Sequence, residues 1–227
     1  MIQTLRQTLD TLPLGGKLNL LLGMASDLSE GHDATVAALR EHADAIGARL
    51  LLVGGVAVIR HGYARTTSDR DVLVSHGDAP KLADRLTDDP QWERLEVRQW
   101  AFLYRPTGIA VDFLVSGDLM QLGRPYLFPR PENLEAVEGV EGVGVIGLHD
   151  LLYFKLMAGR MQDLADAMQL CKLHLNEVSA ERVLAPIQPE DDDLRQKFLD
   201  LLAQAPIEIA NEQRLGQGIV YKRKPNG

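Results

Sequence analysis

The stretch LLVGGVAVIRHGYARTTSDRDVLVS, residues 51–75, decides how the rest of the sequence is interpreted. It begins with an apolar run that ends at Gly54 and Gly55. A short helical segment follows, then the polar loop ARTTS, and finally DRDVLVS, an apolar segment that starts with two acids. This order predicts a buried strand, a glycine turn, a short helix, a loop and a second strand.

The acids of this stretch are candidate metal ligands. Asp69 and Asp71 lie two residues apart at the start of the second predicted strand, so their side chains point to the same face of the sheet. A third acid, Asp112, interrupts the apolar segment IAVDFLV, residues 109–115. A buried carboxylate is unstable without a partner, either an arginine or a cation. If the two strands are neighbours, three carboxylates converge, and such oxygen ligands suit Mg²⁺ or Mn²⁺.

Each of these features has a simpler interpretation when it is taken alone. An Asp-x-Asp at a strand start is also typical of a turn, and Gly-Gly often marks only a tight bend. The combination is more informative, because glycines before a helix let a phosphate approach backbone N–H groups. The order therefore indicates phosphates on the glycine turn, metals that bridge them to the carboxylates, and in-line attack by an acceptor hydroxyl.

The remaining chain predicts strands first and helices later. Helices are expected over residues 1–12, 33–47 and about 80–86, and strands over residues 93–104 and 109–115. Residues 119–146, which contain several prolines and glycines, predict a long irregular connection. Helices then follow from Leu148 to about Leu175, with a candidate break at Gly159, after Ser179, and over residues 191–204.

These elements predict an α+β fold with α/β-like character. Its core is a small mixed β-sheet with flanking helices, followed by a mainly helical C-terminal subdomain. The predicted division places the core and N-terminal helices in residues 1–118, and the linker and helical subdomain in residues 119–227.

Composition and charge restrict the function classes. The 227 residues include 32 acids and 24 lysines and arginines. The resulting net charge of −8 disfavours a broad nucleic-acid-binding surface. Local phosphate contacts remain open for Arg60, Arg65 and Arg70 and for the basic tail over residues 221–224, although such a tail is also typical of a solvated terminus. One cysteine, Cys171, excludes an internal disulfide and a Cys-rich zinc site. With no export signal and no apolar run long enough for a membrane helix, we expect a cytoplasmic protein without a membrane partner.

Residues 51–75 resemble the signature of the DNA polymerase β-like nucleotidyltransferase superfamily. They are most similar to the bacterial branch that includes the abortive-infection nucleotidyltransferase toxins, with its Gly-Gly-x-Ala, His-Gly, Arg-x-Thr and Asp-x-Asp pattern. The superfamily's third carboxylate matches Asp112. The other matching residues are Gly54, Gly55, Ala57, His61, Gly62, Arg65, Thr67, Asp69 and Asp71.

A second block, FKLMAGRMQDLADAMQL at residues 154–170, is similar to a helix signature of the same branch. Its matching residues are Lys155, Arg160, Asp163 and Asp166. The whole resemblance covers about residues 35–175.

Two positions depart from the superfamily pattern. A serine usually follows the first glycine, whereas Gly55 and Val56 follow Gly54 here, so backbone N–H groups or the residues 66–68 would have to contact phosphate. The residue between the paired acids is usually apolar and is Arg70 here. Since Arg70 points away from the carboxylate face, we expect the chemistry to survive.

The resemblance implies a metal-dependent nucleotidyltransferase of the EC 2.7.7 type. Such an enzyme moves a nucleoside monophosphate from a nucleoside triphosphate, such as ATP, to an acceptor hydroxyl and releases pyrophosphate. Asp69, Asp71 and Asp112 would hold Mg²⁺ or Mn²⁺, and Asp112 would also help to remove the acceptor proton. Lys155, interpreted as lying on an exposed polar stripe, would act on a phosphate. The implied nucleotide-binding residues are Gly54, Gly55, Arg65, Thr67, Arg160 and Asp163.

The acceptor and the biological role stay open at the level of sequence. The branch includes toxins that modify tRNA ends and have an antitoxin protein as partner, while other superfamily members modify small-molecule hydroxyls such as those of antibiotics. A protein acceptor is a further alternative. A module that binds nucleotide without turnover is also an alternative, although all three carboxylates are present. We expect His61 to cap a helix or to be hydrogen-bonded in the core, and Cys171 to be a core residue.

Overall fold

The structure, a computed structural model, describes residues 31–67, 69–96 and 98–218. The helix predicted over residues 1–12, the phosphate contact considered for Ser68 and the basic tail over residues 221–224 lie outside the described residues.

A mixed β-sheet of seven strands forms the centre of the described chain. The order across the sheet is β3-β4-β5-β2-β1-β7-β6, in which β2 pairs with β5, and β1 with β7, in parallel. The other neighbours are antiparallel. The bounds are β1 Leu51–Leu52, β2 Asp69–Val74, β3 Trp92–Arg94, β4 Ala101–Tyr104, β5 Ile109–Val115, β6 Ala136–Val140 and β7 Val143–Ile146. The predicted α+β class with a mixed sheet is confirmed.

Helices flank the sheet and make up most of the last third of the described chain. Helix α1 is described over residues 31–44. Its apolar face, with Val36, Leu39 and Ala43, is buried as the helical spacing predicts. The bounds of the other helices are α2 Gly54–Arg60, α3 Ala79–Asp88, α4 Leu148–Ala158, α5 Met161–Leu173, α6 Ala180–Leu184 and α7 Asp192–Gly218. In the described ranges, no helix is long and apolar enough to cross a membrane.

The connection predicted over residues 119–146 is wrong in its second half. The β6–β7 hairpin lies there and extends the sheet by pairing β7 with β1. Residues Val143, Val145 and Ile146 are buried, which stabilises this edge, while Gly139, Gly142 and Gly144 obscured the strand pattern. The division after residue 118 stays a prediction, although the core sheet continues beyond it through this hairpin.

Two other predicted elements differ in length. The strand expected over residues 93–104 is divided into β3 and β4 by a non-strand segment. The helix expected over residues 191–204 continues as α7 to Gly218 and contains Pro206.

The helical stretch after Leu148 breaks at Gly159. That residue closes α4 in the left-handed conformation, with φ of 63°, and Arg160 then begins the approach to α5. Glycine adopts this conformation without a Cβ clash, so it is a natural helix end. The break sets α4 and α5 as separate helices beside the sheet.

Candidate active site

The register of β2 and β5 brings the three predicted carboxylates together. Asp71 is directly opposite Asp112 in the parallel pairing, and Asp69 lies two residues before Asp71 on the same face. Apolar residues follow Asp71 in β2 and flank Asp112 in β5, and they anchor both strands in the core. The neighbour relation on which the sequence-based metal site depends is therefore present.

Asp71 is in an environment that opposes its ionisation. Burial, followed by the charges of Asp69 and Asp112, raises the pKa of its carboxyl from 3.8 to about 6 against the opposing effect of Lys155 and Arg160. Such a carboxylate gains most from a nearby cation, because the cation removes the repulsion that the fold imposes.

Asp112 is held by an arginine that the sequence alone did not identify. Arg98 donates a hydrogen bond to Asp112 Oδ2 from a side chain that is 65% exposed. Burial raises the pKa of Asp112, and Arg98 counteracts that effect. The contact follows from the strand pairing: Ala101 is opposite Asp112 in β4–β5, so residues just before Ala101 lie near the acid.

Gly54 is required by conformation and by space. Its φ is 60°, and a Cβ at this position would collide with the Asp71 carboxylate. The glycine that follows β1 therefore lets Asp71 lie against the turn.

Gly55 is close to the loop that precedes β2. A Cβ at Gly55 would lie 2.6 Å from Thr67 Oγ1 and 2.8 Å from Arg65 Nη2. Thr67 in turn donates a hydrogen bond of 3.3 Å to Asp69 Oδ1. Gly55, Arg65 and Thr67 thus form one packed unit beside the first carboxylate, and a larger residue at Gly55 would displace that loop.

Lys155 does not lie on an exposed polar stripe, and that interpretation is wrong. It is 5% exposed, and its Nζ donates hydrogen bonds to Asp163 Oδ1 at 2.9 Å and to Asp166 Oδ2 at 2.8 Å. The helical projection assumed one continuous helix, whereas the break at Gly159 turns α5 so that its acids face α4.

Further groups complete this buried ionic network. Arg160 Nε donates to Asp163 Oδ2 at 2.6 Å, and Arg65 Nε lies 3.2 Å from Asp166 Oδ1. Burial opposes ionisation of Asp163, but hydrogen bonds from Arg160 and Lys155 dominate and lower its pKa. Arg65 and Asp166 connect the loop before β2 to α5, so both sequence blocks of the resemblance meet in one network.

Two of the three carboxylates, Asp71 and Asp112, line a cavity of about 440 Å³. Its polar wall includes Asp71, Asp112, Arg98 and Arg160, and Gly54 and Lys155 also reach it. The opposite wall is apolar and aromatic, a feature that sequence reasoning missed because its members come from distant segments. It contains Trp100, Met120, Phe128, Leu151 and Phe154.

The donor set of the site fits a hard divalent cation. Asp69, Asp71 and Asp112 supply carboxylate oxygens, and burial together with the charges of Asp69 and Asp112 raises the pKa of Asp71, an effect that a cation would counteract. Within the described ranges, no group of three histidine, cysteine or acidic side chains is already arranged around one metal position. Asp112 instead contacts Arg98, so cation binding would require Arg98 to release that oxygen.

His61 and Cys171 have structural surroundings. His61 Nε2 lies 2.8 Å from the Ile146 carbonyl oxygen, and its own carbonyl oxygen lies 2.8 Å from His174 Nε2. Cys171 is fully buried in the core. The expectations for both residues are confirmed.

No family model matches the sequence, and no curated protein matches it either. Several solved structures, including the following three, are similar to parts of it. The crystal structure of ANT(2'')-Ia in complex with adenylyl-2''-tobramycin has 16% identity and a TM-score of 0.45, covering 74% of this chain and 97% of that one. An antigenic nucleotidyltransferase-like protein from Paracoccidioides brasiliensis has 18% identity and a TM-score of 0.46, covering 75% and 93%. The solution structure of the antibiotic-resistance factor ANT(2'')-Ia has 15% identity and a TM-score of 0.40, covering 80% and 99%.

Proposed function

We propose that the chain is a metal-dependent nucleotidyltransferase of the DNA polymerase β-like superfamily, which transfers a nucleoside monophosphate from a nucleoside triphosphate to a hydroxyl group. The main support is that Asp71 is directly opposite Asp112 in the strand pairing, with Asp69 on the same face. Asp71 and Asp112 line a cavity that Arg160 also lines. Like charges at such positions destabilise a fold unless a ligand uses them. This argues against a purely structural role, and the presence of all three acids argues against an inactive nucleotide-binding module.

In this proposal, Asp69, Asp71 and Asp112 hold Mg²⁺ or Mn²⁺. The bound cation supplies positive charge against the triphosphate and against the charge that develops during transfer. The chain itself contributes Arg160, which is 77% exposed at its side chain and lines the cavity, as the phosphate contact. Lys155 is engaged by two acids, so we assign it to positioning Asp163 and the start of α5 rather than to direct phosphate contact.

The transfer step forms one bond, breaks one bond and moves one proton, and the proton acceptor is a residue of this chain. The acceptor oxygen forms a bond to the α-phosphorus, the bond from that phosphorus to the pyrophosphate oxygen breaks, and pyrophosphate leaves. The acceptor proton moves to the carboxylate of Asp112, whose raised pKa makes it a better proton acceptor. Arg98 must leave Asp112 first, and its exposed side chain allows this movement.

A small molecule with an apolar portion is the acceptor class that the cavity favours. Its volume is in the range of small-molecule sites, and Trp100, Phe128 and Phe154 provide an aromatic wall. A tRNA end, with an antitoxin protein as partner, is the second candidate and rests on the branch resemblance alone. A cytoplasmic location remains a prediction.

Label transfer tests the proposed activity. The purified chain is incubated with each α-³²P-labelled nucleoside triphosphate and Mg²⁺, together with either a pool of small-molecule alcohols or total tRNA. We expect label on one acceptor class with equimolar pyrophosphate, at least a 100-fold loss in Asp71→Asn, and unchanged transfer in the surface control Asp84→Asn. Equal transfer in Asp71→Asn and the wild type would overturn the proposal.

A further inference from the structure

A second cavity, of about 560 Å³, lies behind the catalytic carboxylates. Arg70 lines this cavity and Asp71 lines the catalytic one, as expected for consecutive strand residues that face opposite sides of the sheet. In the described part of the chain, the two cavities share no lining residue. The second cavity is therefore a separate space.

Two side chains in the second cavity are buried with nitrogens that lack partners. His32 and Arg70 are each 6% exposed. Among the described residues, neither His32 Nδ1 nor Arg70 Nε has a hydrogen-bond partner, while Arg70 Nη1 donates to the Asp69 carbonyl oxygen at 3.2 Å. Arg70 Nε is a buried donor without an acceptor, which is costly, so it indicates an acceptor that enters the cavity, and His32 Nδ1 adds a second donor in the tautomer that protonates it.

The charged residues that line the cavity also favour an anionic ligand. Arg60 and Arg70 face Asp33, whose Oδ1 is 3.9 Å from Arg60 Nη2, too far for a hydrogen bond. Asp33 is the one acid among the described residues that line the cavity, so an anion at this position would reduce the repulsion between the two guanidinium groups.

We propose that the second cavity binds a phosphate group, with His32, Arg60 and Arg70 as its polar contacts. Two guanidinium groups and an imidazole from three different elements supply more donors than one carboxylate can satisfy, and guanidinium groups match phosphate oxygens well. Val56, Ile59 and Val140 form an apolar wall that suits the organic part of a phosphate monoester. Phosphate contacts were among the roles that the sequence allows for Arg60 and Arg70, and the fold brings both residues to this cavity.

Calorimetric titration in EDTA tests this site without metal-dependent nucleotide binding. The probes are inorganic phosphate and AMP. We expect saturable binding of at least one probe and at least tenfold weaker binding in both Arg70→Met and Arg60→Met. Tighter AMP binding identifies a phosphate monoester as the ligand, equal affinity identifies free phosphate, and both results support the site. Absence of saturable binding, or wild-type affinity in Arg70→Met, would overturn it.

Control variants separate this site from the catalytic cavity and from misfolding. Arg85→Met, on the exposed face of α3, and Arg160→Met, in the catalytic cavity, should both keep wild-type affinity. Loss in Arg160→Met would place the phosphate in the catalytic cavity and overturn the assignment. Arg70→Met should not lower the melting temperature, because it replaces a buried, incompletely partnered charge with an apolar group. If Arg70→Met fails to fold, the proposal is tested with Arg60→Met alone, because the Arg60 side chain is half exposed. The outcome is independent of the transferase proposal, since the probes require neither metal nor acceptor.

Discussion

At the residue scale, Asp71 links stability to the chemistry of the site. Burial, Asp69 and Asp112 raise its pKa to about 6 in the folded chain, above its ordinary value of 3.8. The folded state therefore binds more protons than the unfolded state between about pH 4 and pH 6. Stability from this group is present below pH 4 and is lost as the pH rises through 6.

Asp71→Asn should remove this loss. In EDTA, we expect the variant to be more stable than the wild type at pH 7–8, by at most about 3 kcal/mol before solvent screening reduces the figure. The two proteins should converge toward pH 4. Melting temperatures across pH 4–8 measure the effect, with Asp84→Asn as an exposed control that should follow the wild type. A variant that is less stable than the wild type at pH 8 would contradict the account of Asp71.

Lys155→Ala should strongly destabilise the chain, because it removes a cation shared by two buried acids. We expect a loss of about 3 kcal/mol and a melting temperature lower by roughly 10 °C, with Arg160, Arg65 and Gln162 as remaining partners. Lys81→Ala, on an exposed face of α3, is the matched control and should change little. A melting temperature within about 2 °C of the wild type would show that the ionic network contributes little to stability, contrary to this account.

Residue-scale prediction from sequence was successful where chemistry alone restricted the choice. An acid in an apolar strand and a same-face pair were readable, so the convergence of Asp69, Asp71 and Asp112 could be predicted. The burial of Lys155 and the contact of Arg98 with Asp112 could not, because both depend on how separate elements pack. The catalytic roles of Asp69, Asp71 and Asp112 stay predictions.

At the element scale, the break between α4 and α5 positions the ionic network. Gly159→Ala should lower stability by about 1 kcal/mol, since a Cβ is unfavourable at φ of 63°, and should reduce transfer by displacing Arg160 from the cavity. Thermal unfolding should show a decrease of about 2–4 °C. Gly77→Ala is the control, because its Cβ would meet no atom within 4 Å. An unchanged melting temperature and unchanged transfer in Gly159→Ala would show that this helix end does not require glycine.

Element-scale prediction failed mainly where glycines interrupt strands. The alternating pattern is broken by Gly139 in β6 and by Gly144 in β7, yet a Cβ at Gly139 would collide with the Val143 carbonyl group. Close approach of the two strands therefore requires glycine at that position, which the sequence presents as a loop signal. By contrast, β2 and β5 could be predicted, because continuous apolar residues follow Asp71 in β2 and flank Asp112 in β5.

At the scale of the whole molecule, one buried network joins the sheet to the helices. Arg65 precedes β2 and contacts Asp166 of α5, while Lys155 connects α4 to the same acid. Cation binding at the carboxylates and packing of the helices are therefore expected to be coupled through the charges that act on Asp71. The general fold class followed from the order of the elements, but this coupling depends on contacts between segments about 100 residues apart in the chain, for which the sequence pattern carries no signal.

Direct measurement of metal binding tests the central claim without knowledge of the acceptor. Mn²⁺ is titrated into the chain and followed by the loss of the free-ion electron paramagnetic resonance signal, with and without a nonhydrolysable nucleoside triphosphate analogue. We predict saturable Mn²⁺ binding that the analogue tightens, at least 100-fold weaker binding in Asp71→Asn, and wild-type binding in Asp84→Asn. Mn²⁺ and analogue affinities that are the same in Asp71→Asn and the wild type would contradict the assignment of the carboxylates.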